Sequence, residues 1–292
     1  LYKLGILNSL IKTFDESKIR YSVYYKVVPN PTTQNVEECV ELYKKDHCDS
    51  IIGFGGGSAM DTAKATGARI SNPNRSLDKM KGLLKVYRKL PLLIAIPTTA
   101  GTGSEATLAS VIVDSKTRHK YVINDFHLIP RYAVLDENLT KSLPPRITAE
   151  TGMDALTHAI EAYIGKSNHR ITKIEAKIAI RLIFANLEKA FDDGNNLQAR
   201  KKLLKASYLA GCSFTRSYVG YVHSIAHSLG GKYNIPHGRA NAIILPHMLE
   251  RYGKTIHKKL HKLAIATGIS DELTEPEVSA KLFISEIKRM NE

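Results

Sequence analysis

The feature that most constrains this chain is a change of period at Leu143-Pro144-Pro145. Before it, short apolar runs rich in β-branched residues alternate with stretches of helical spacing. After it the β-branched runs stop, and helical spacing continues to the end. Strand–helix alternation argues for a mainly parallel sheet with helices on both faces, and a helix-only stretch argues for a separate all-α layer. The expected architecture is an α/β domain over residues 1–143 and an all-helical domain over residues 144–292.

In the first half, helices are expected over 2–16, 33–46 and 58–70, with Ser58 capping the third. Strands are expected near Arg20–Val28, Ser50–Phe54, Leu92–Ile96, Thr107–Asp114, Lys120–Ile123 and Tyr132–Leu135. In the second half, helices are expected over 147–165, 170–190, 197–215, 218–229, 239–251, 254–267 and 276–290. No run of eighteen apolar residues occurs, so no membrane span is expected. The first residues, LYKLGILNSLIKTF, carry a lysine inside the apolar stretch and lack the cleavage site of a secretory signal. Cys39, Cys48 and Cys212 are far apart and none forms a CxxC pair. That excludes a disulfide scaffold and a cysteine zinc finger, and it fits a cytoplasmic location.

The formal net charge is +14. A basic balance raises the question of a nucleic-acid partner. Residues 1–143 carry 20 Lys and Arg against 14 acids, and residues 144–292 carry 22 against 14. The excess is thus spread over both halves rather than gathered in a stripe. Trp is absent, and the tyrosines do not interleave with a basic stripe. These features argue against nucleic-acid binding and for a field that attracts a phosphate-bearing cofactor.

Two loops carry the signature of such a cofactor. The stretch Ile51 to Asp61 reads strand, triple-glycine turn (Gly55-Gly56-Gly57), helix. Adjacent glycines let the backbone approach a diphosphate, and the free N–H groups at the helix start then stabilise the anion. The second loop runs from Pro97 to Glu105 and contains Thr98, Thr99, Gly101, Thr102, Gly103 and Ser104. It follows a buried strand, where open α/β sheets bind ligands, and its hydroxyls can donate to phosphate or ribose oxygens. The triple-glycine turn is neither G-x-G-x-x-G followed by a ribose-binding acid nor G-x-x-x-x-G-K-[ST].

The helical half carries a different signal. Asp154 and His158 are four residues apart in an apolar run, so they share one helix face. His223 and His227 repeat that spacing, followed by His237 and His247. A carboxylate and an imidazole on an apolar face are costly unless paired or metal-bound. One carboxylate with several imidazoles leaves an open coordination position and suits Zn²⁺ or Fe²⁺. His119, His127, His169, His257 and His261 lie in charged or loop surroundings and read as ordinary surface or core residues.

Taken together, VVPNPT (27–32), IIGFGGGSAMDTAKA (51–65), AIPTTAGTGSEAT (95–107), GMDALTHAIEAY (152–163) and HSIAHSLGGKYNIPHGRANAIILPH (223–247) resemble the iron-containing (group III) alcohol dehydrogenases. The pattern is most similar to their lactaldehyde reductase, 1,3-propanediol and butanol dehydrogenase branch. The resemblance implies a Rossmann-like dinucleotide-binding domain and a helical metal-binding domain of the dehydroquinate synthase-like type. It implies reversible hydride transfer between a small alcohol or diol and its aldehyde or ketone, with NAD or NADP, in a homodimer. Carried over by motif, the metal ligands are Asp154, His158, His223 and His237. His227 takes the place beside the nicotinamide and is a candidate for the proton path, while His247 stays outside the metal set. Asn30, Gly56, Gly57, Ser58, Asp61, Thr98, Thr99, Thr102, Thr107 and Lys120 fall at dinucleotide-contact positions.

The family pattern also implies a strand ahead of residue 1, whose end selects NAD or NADP, and helices after Glu292, so the chain reads as truncated at both ends. Three other readings stay open at this stage. One is a lyase of the dehydroquinate synthase type or a glycerol dehydrogenase-like metalloenzyme. Another is a nucleotide-binding fragment without catalysis. A zinc hydrolase would use the histidines but leave the triple-glycine turn without a role.

Overall fold

The structure is a computed structural model, and it describes residues 1–233 and 235–292. Packing divides the chain into two compact units. The first comprises Leu1–Thr98 and Thr107–Val134, the second Thr99–Ala106 and Leu135–Glu292.

The first unit begins with helix α1 (Asn8–Glu16), then α2 (Thr33–Lys45). Thr32 caps α2 by accepting a hydrogen bond from the Asn35 N–H, and the Asn35 side-chain oxygen accepts one from the Thr32 N–H. Strand β1 (Ser50–Gly55) leads into α3 (Gly57–Ser71), and a two-residue β2 (Gly82–Leu83) precedes β3 (Leu92–Pro97). Strands β4 (Ala109–Val113), β5 (Lys120–Asn124) and β6 (Tyr132–Ala133) complete the unit. β1, β3 and β6 form one parallel sheet, with β3 in the centre and Ser50 in register with Leu92. β4 and β5 pair antiparallel, and β2 joins them parallel to β5. Val36, Val40, Ala65, Ala68 and Met80 form one buried cluster with Ile112 of β4 and Ile123 of β5.

The second unit is helical: α4 (Pro145–Ile164), α5 (Arg170–Asp192), α6 (Leu197–Ser217), α7 (Tyr221–Tyr233), α8 (His237–Tyr252), α9 (His257–Thr267) and α10 (Pro276–Arg289). Pro145 opens α4 at its first turn, where a missing N–H costs nothing. From Gly152 to Ile164 every residue of α4 is buried, so this helix is the axis of the unit rather than a surface element. Leu156 and Ile160 of α4 share one buried cluster with Ile180, Ile183, Leu204, Leu245 and Phe283. Close approach is built in, since a Cβ on Gly152 would lie 2.3 Å from a Leu187 methyl on α5.

Three sequence expectations need correction. Arg20–Val28 is irregular rather than a strand, because alternating side chains mark a face but supply no pairing partner. The 2–16 helix is broken: a short 3₁₀ turn ends at Gly5 in the left-handed region (φ 70°) before α1 begins. Ser58 does not cap α3, which starts one residue earlier with Gly56 as its N-cap and no side-chain cap at all.

Candidate metal centre

α4 supplies Asp154, α7 supplies His223, and the first residue of α8 is His237. One ligand atom from each lies within 4.8 Å of the others. The Asp154 Oδ1 atom is 3.7 Å from His223 Nε2 and 3.5 Å from His237 Nε2. Asp154 and His223 are buried, and His237 is half-buried.

His158 is not in that group. Its ring is packed between Phe214 and His223, with centroids at 4.2 and 4.3 Å, and its Nδ1 is 4.0 Å from Asp154 Oδ1. That nitrogen is buried and makes no hydrogen bond. An orphaned imidazole nitrogen beside a carboxylate and two further imidazoles is an unmet demand that a divalent cation satisfies. The donor set therefore fits a borderline metal ion.

Two features hold the cluster in shape. The Glu161 carboxylate, one helical stretch beyond His158, accepts hydrogen bonds from the backbone N–H groups of Gly220 and Val222, each at 2.8 Å. It thereby serves as the N-terminal anchor of α7 from the side of α4. The same carboxylate meets His223 Nδ1 at 2.6 Å, which turns Nε2 toward Asp154. Gly238 lets α8 begin against α4, since a Cβ there would sit 2.1 Å from the Glu150 carbonyl oxygen. His237 reaches Asp154 because of that contact. Glu161 was absent from the sequence-derived site, although its three-residue spacing from His158 on the same apolar helix was the signal available.

Charge follows burial here. Burial alone would raise the Asp154 carboxyl, but His158, His237 and His223 outweigh it and hold the group well below the usual carboxylate range. Burial pushes His158 down to about 3 against the pull of Asp154, so its ring is neutral. Burial also opposes charge on His223, but its hydrogen bonds to Asp154 and Glu161 prevail and push it up to about 9.

His227 is exposed on α7, its ring stacked on His237 at 4.9 Å and edge-on to His223 at 6.2 Å. His247 is exposed near the end of α8 with Glu250 at 3.9 Å, outside the cluster.

The dinucleotide-contact positions divide between the units. In the first, Gly56, Gly57 and Ser58 form the uncapped start of α3, preceded by Gly55 at φ 145°, where a Cβ would strike Ala59 at 2.8 Å. Asp61 follows one turn later and is half-buried. Asn30 sits in the left-handed region (φ 55°) and accepts a hydrogen bond from Lys120 Nζ at 2.7 Å. Burial lowers Lys120, with Asp61 acting against it. Thr98 is buried, its N–H donating to the Gly55 carbonyl. Thr107 is also buried, and its carbonyl and hydroxyl oxygens both accept from Lys64 Nζ, at 2.8 and 2.9 Å. An uncapped helix start behind a glycine turn fits a diphosphate.

Thr99 and Thr102 belong to the second unit. Their loop is docked by two glycines. Gly103 donates to Ser207 Oγ and touches the Gly211 backbone of α6, and a Cβ on Gly101 would meet Thr151 at 2.7 Å.

Comparison with known proteins gives a consistent picture. Residues 1–137 match the family model of iron-containing alcohol dehydrogenase, and residues 148–289 match the C-terminal part of the Fe-containing alcohol dehydrogenase family. The 1,3-propanediol dehydrogenase of Citrobacter freundii is 39% identical over 290 residues, covering 99% of this chain and 74% of that protein. The structure of an alcohol dehydrogenase from Oenococcus oeni superposes with a TM-score of 0.95 at 38% identity, over 99% of this chain and 75% of that one. Sulfoacetaldehyde reductase from Bifidobacterium kashiwanohense, solved in complex with NAD⁺, gives a TM-score of 0.83 at 31% identity, over 97% of this chain and 76% of that one. Of some curated relatives the chain spans less, as with the alcohol dehydrogenase 4 of Schizosaccharomyces pombe, of which it spans 58%.

Proposed function

The chain belongs to the iron-containing alcohol dehydrogenase family, and from that premise we propose that it oxidises a small alcohol or diol reversibly with NAD or NADP. The observation that carries this reading is the convergence of Asp154, His223 and His237 within 4.8 Å, on three different helices. When bound, a ferrous or zinc ion there supplies Lewis-acid polarisation of the substrate oxygen, and the dinucleotide supplies the hydride chemistry. Asp154, His223 and His237 hold the ion, with His158 as the fourth ligand. Glu161 holds the His223 ring by its Nδ1 edge and so would aim Nε2 at the ion. Gly56, Gly57 and Ser58 hold the diphosphate at the α3 start, and Asn30, Asp61, Thr98, Thr99, Thr102, Thr107 and Lys120 complete the dinucleotide contacts. His227, exposed beside His237, carries a proton to or from solvent.

We keep the division near residue 143 as the boundary between dinucleotide-binding and metal-binding halves. No helix among the described residues is long and apolar enough to cross a membrane, and all three cysteines are free thiols. We further propose that the enzyme is a cytoplasmic homodimer whose partners are small molecules rather than nucleic acid.

The test is a panel of short alcohols and diols with NAD⁺ or NADP⁺ on the full-length protein, loaded in turn with Fe²⁺ and Zn²⁺. Metal-dependent reduction of the nucleotide is expected. Binding of both metal and NADH with no nucleotide reduction for any alcohol would sink the reading. For His227, the expected result of His227→Ala is a changed pH–rate profile, and an unaltered profile and turnover would remove its proton role.

A further inference from the structure

Among the polar side chains around Asp154, one is neither a metal ligand in the proposed set nor explained by packing. Asn241 lies one turn after His237 on α8, so the two share a face. It is completely buried. Its Nδ2 atom lies 2.7 Å from Asp154 Oδ1 and 3.2 Å from both His223 Nε2 and His237 Nε2. A single amide nitrogen therefore caps the triangle of ligand atoms.

The orientation of the amide is forced. Turned over, its oxygen would face a carboxylate oxygen at 2.7 Å, acceptor against acceptor. With the nitrogen inward, two N–H groups serve the carboxylate and one imidazole. The outward Oδ1 is then buried and makes no hydrogen bond. A buried acceptor left alone is unfavourable, and a leucine would fill nearly the same volume without that cost. The donor side is what this residue provides.

We propose that Asn241 is a positioning residue of the metal centre: its amide nitrogen fixes Asp154 Oδ1 toward the His223 and His237 nitrogens and keeps the ligand atoms grouped before an ion binds. The inference rests on the metal-centre reading above. A carboxylate free to rotate has a second orientation, pointing either oxygen away from the imidazoles, and an ion must then select the competent one. Affinity falls by the fraction of time the centre is mis-set. Outer hydrogen bonds of this kind set the geometry of metal sites as well as their strength.

The experiment compares the full-length protein with its Asn241→Leu and Asn241→Ala variants by Co²⁺ titration. It reads the d–d absorption bands and, in competition with a chelating dye, the dissociation constant for Zn²⁺. The melting temperature of each metal-free protein is taken alongside. The parent should bind one Co²⁺ per chain. Both variants should bind about 10- to 100-fold more weakly, with shifted or weakened d–d bands, while the metal-free Asn241→Leu protein melts near the parent. An Asn241→Leu protein that is destabilised when metal-free yet keeps the parent's affinity and spectrum would show a merely structural role and overturn the proposal. Should the leucine variant fail to fold, the alanine variant decides by the same two readouts. A parent that binds neither Co²⁺ nor Zn²⁺ would instead overturn the metal-centre reading itself.

Discussion

The turn after β1 is made of backbone over a few consecutive residues, Gly55 to Ser58, whereas the Asp154 cluster is made of side chains from α4, α7 and α8. The turn offers N–H groups at an uncapped helix start and needs only small residues around them. The cluster needs a buried carboxylate, three imidazoles, a second carboxylate to orient one of them, and a glycine to let α8 touch α4. One site is local and tolerant of distant change. The other is assembled across some eighty residues of chain, and any of several remote contacts can disperse it. The lesson is that the two should fail independently and in different ways.

The sharpest break is at the ligands. Asp154→Asn or His237→Ala should abolish stoichiometric metal and lower turnover by about a thousandfold or more, with NADH binding by fluorescence unchanged. Full metal content in either variant, measured by elemental analysis, would reject the assignment. Next comes the carboxylate behind His223. Glu161→Ala strips a buried imidazole and two backbone N–H groups of their partner, so urea unfolding should show a loss of about 3–5 kcal/mol. The milder Glu161→Gln should fold and bind metal about 10- to 100-fold more weakly, and an unchanged metal affinity would remove Glu161 from the centre.

Gly238→Ala probes the same site through the backbone. Its new methyl would press on the Glu150 carbonyl, so α8 must move away. A loss of about 1–3 kcal/mol in unfolding, together with weaker metal binding, is expected. Stability equal to the parent would mean that the α4–α8 contact does not position His237. The smallest effect should come from the other region. Gly57→Asp places a carboxylate where we propose that the diphosphate binds and should weaken NADH binding about tenfold, while metal content stays at the parent level. Loss of metal in this variant would break the independence of the two sites.

How much of this was legible beforehand follows the same division. The triple-glycine turn could be read because strand, glycines and helix are adjacent in the chain. Its details still differed, with Gly56 rather than Ser58 at the cap. The helical half could be read from its periodicity, and each helix lies within a few residues of its expected bounds. Arg20–Val28 could not be read, because a strand exists only through a partner. Asp154 and His158 were legible as a pair because four-residue spacing puts them on one face. Glu161 offered only its three-residue spacing from His158, and the role of neither Glu161 nor Asn241 could be read, because what matters is the group each meets: for Glu161 the start of α7, and for Asn241 the carboxylate of Asp154.

By itself the sequence determined where helices and strands can form, which short stretches can cradle a phosphate, and which residue types can bind a metal. Those properties depend on period, backbone freedom and side-chain chemistry, all fixed within a few residues. Only the tertiary structure decided which of those side chains share a centre, that His158 stacks between Phe214 and His223 rather than joining the tight group, and that the Thr99–Ala106 loop packs with the helical unit. Such facts turn on contacts between residues tens of positions apart, and these arise only when the helices bury one another.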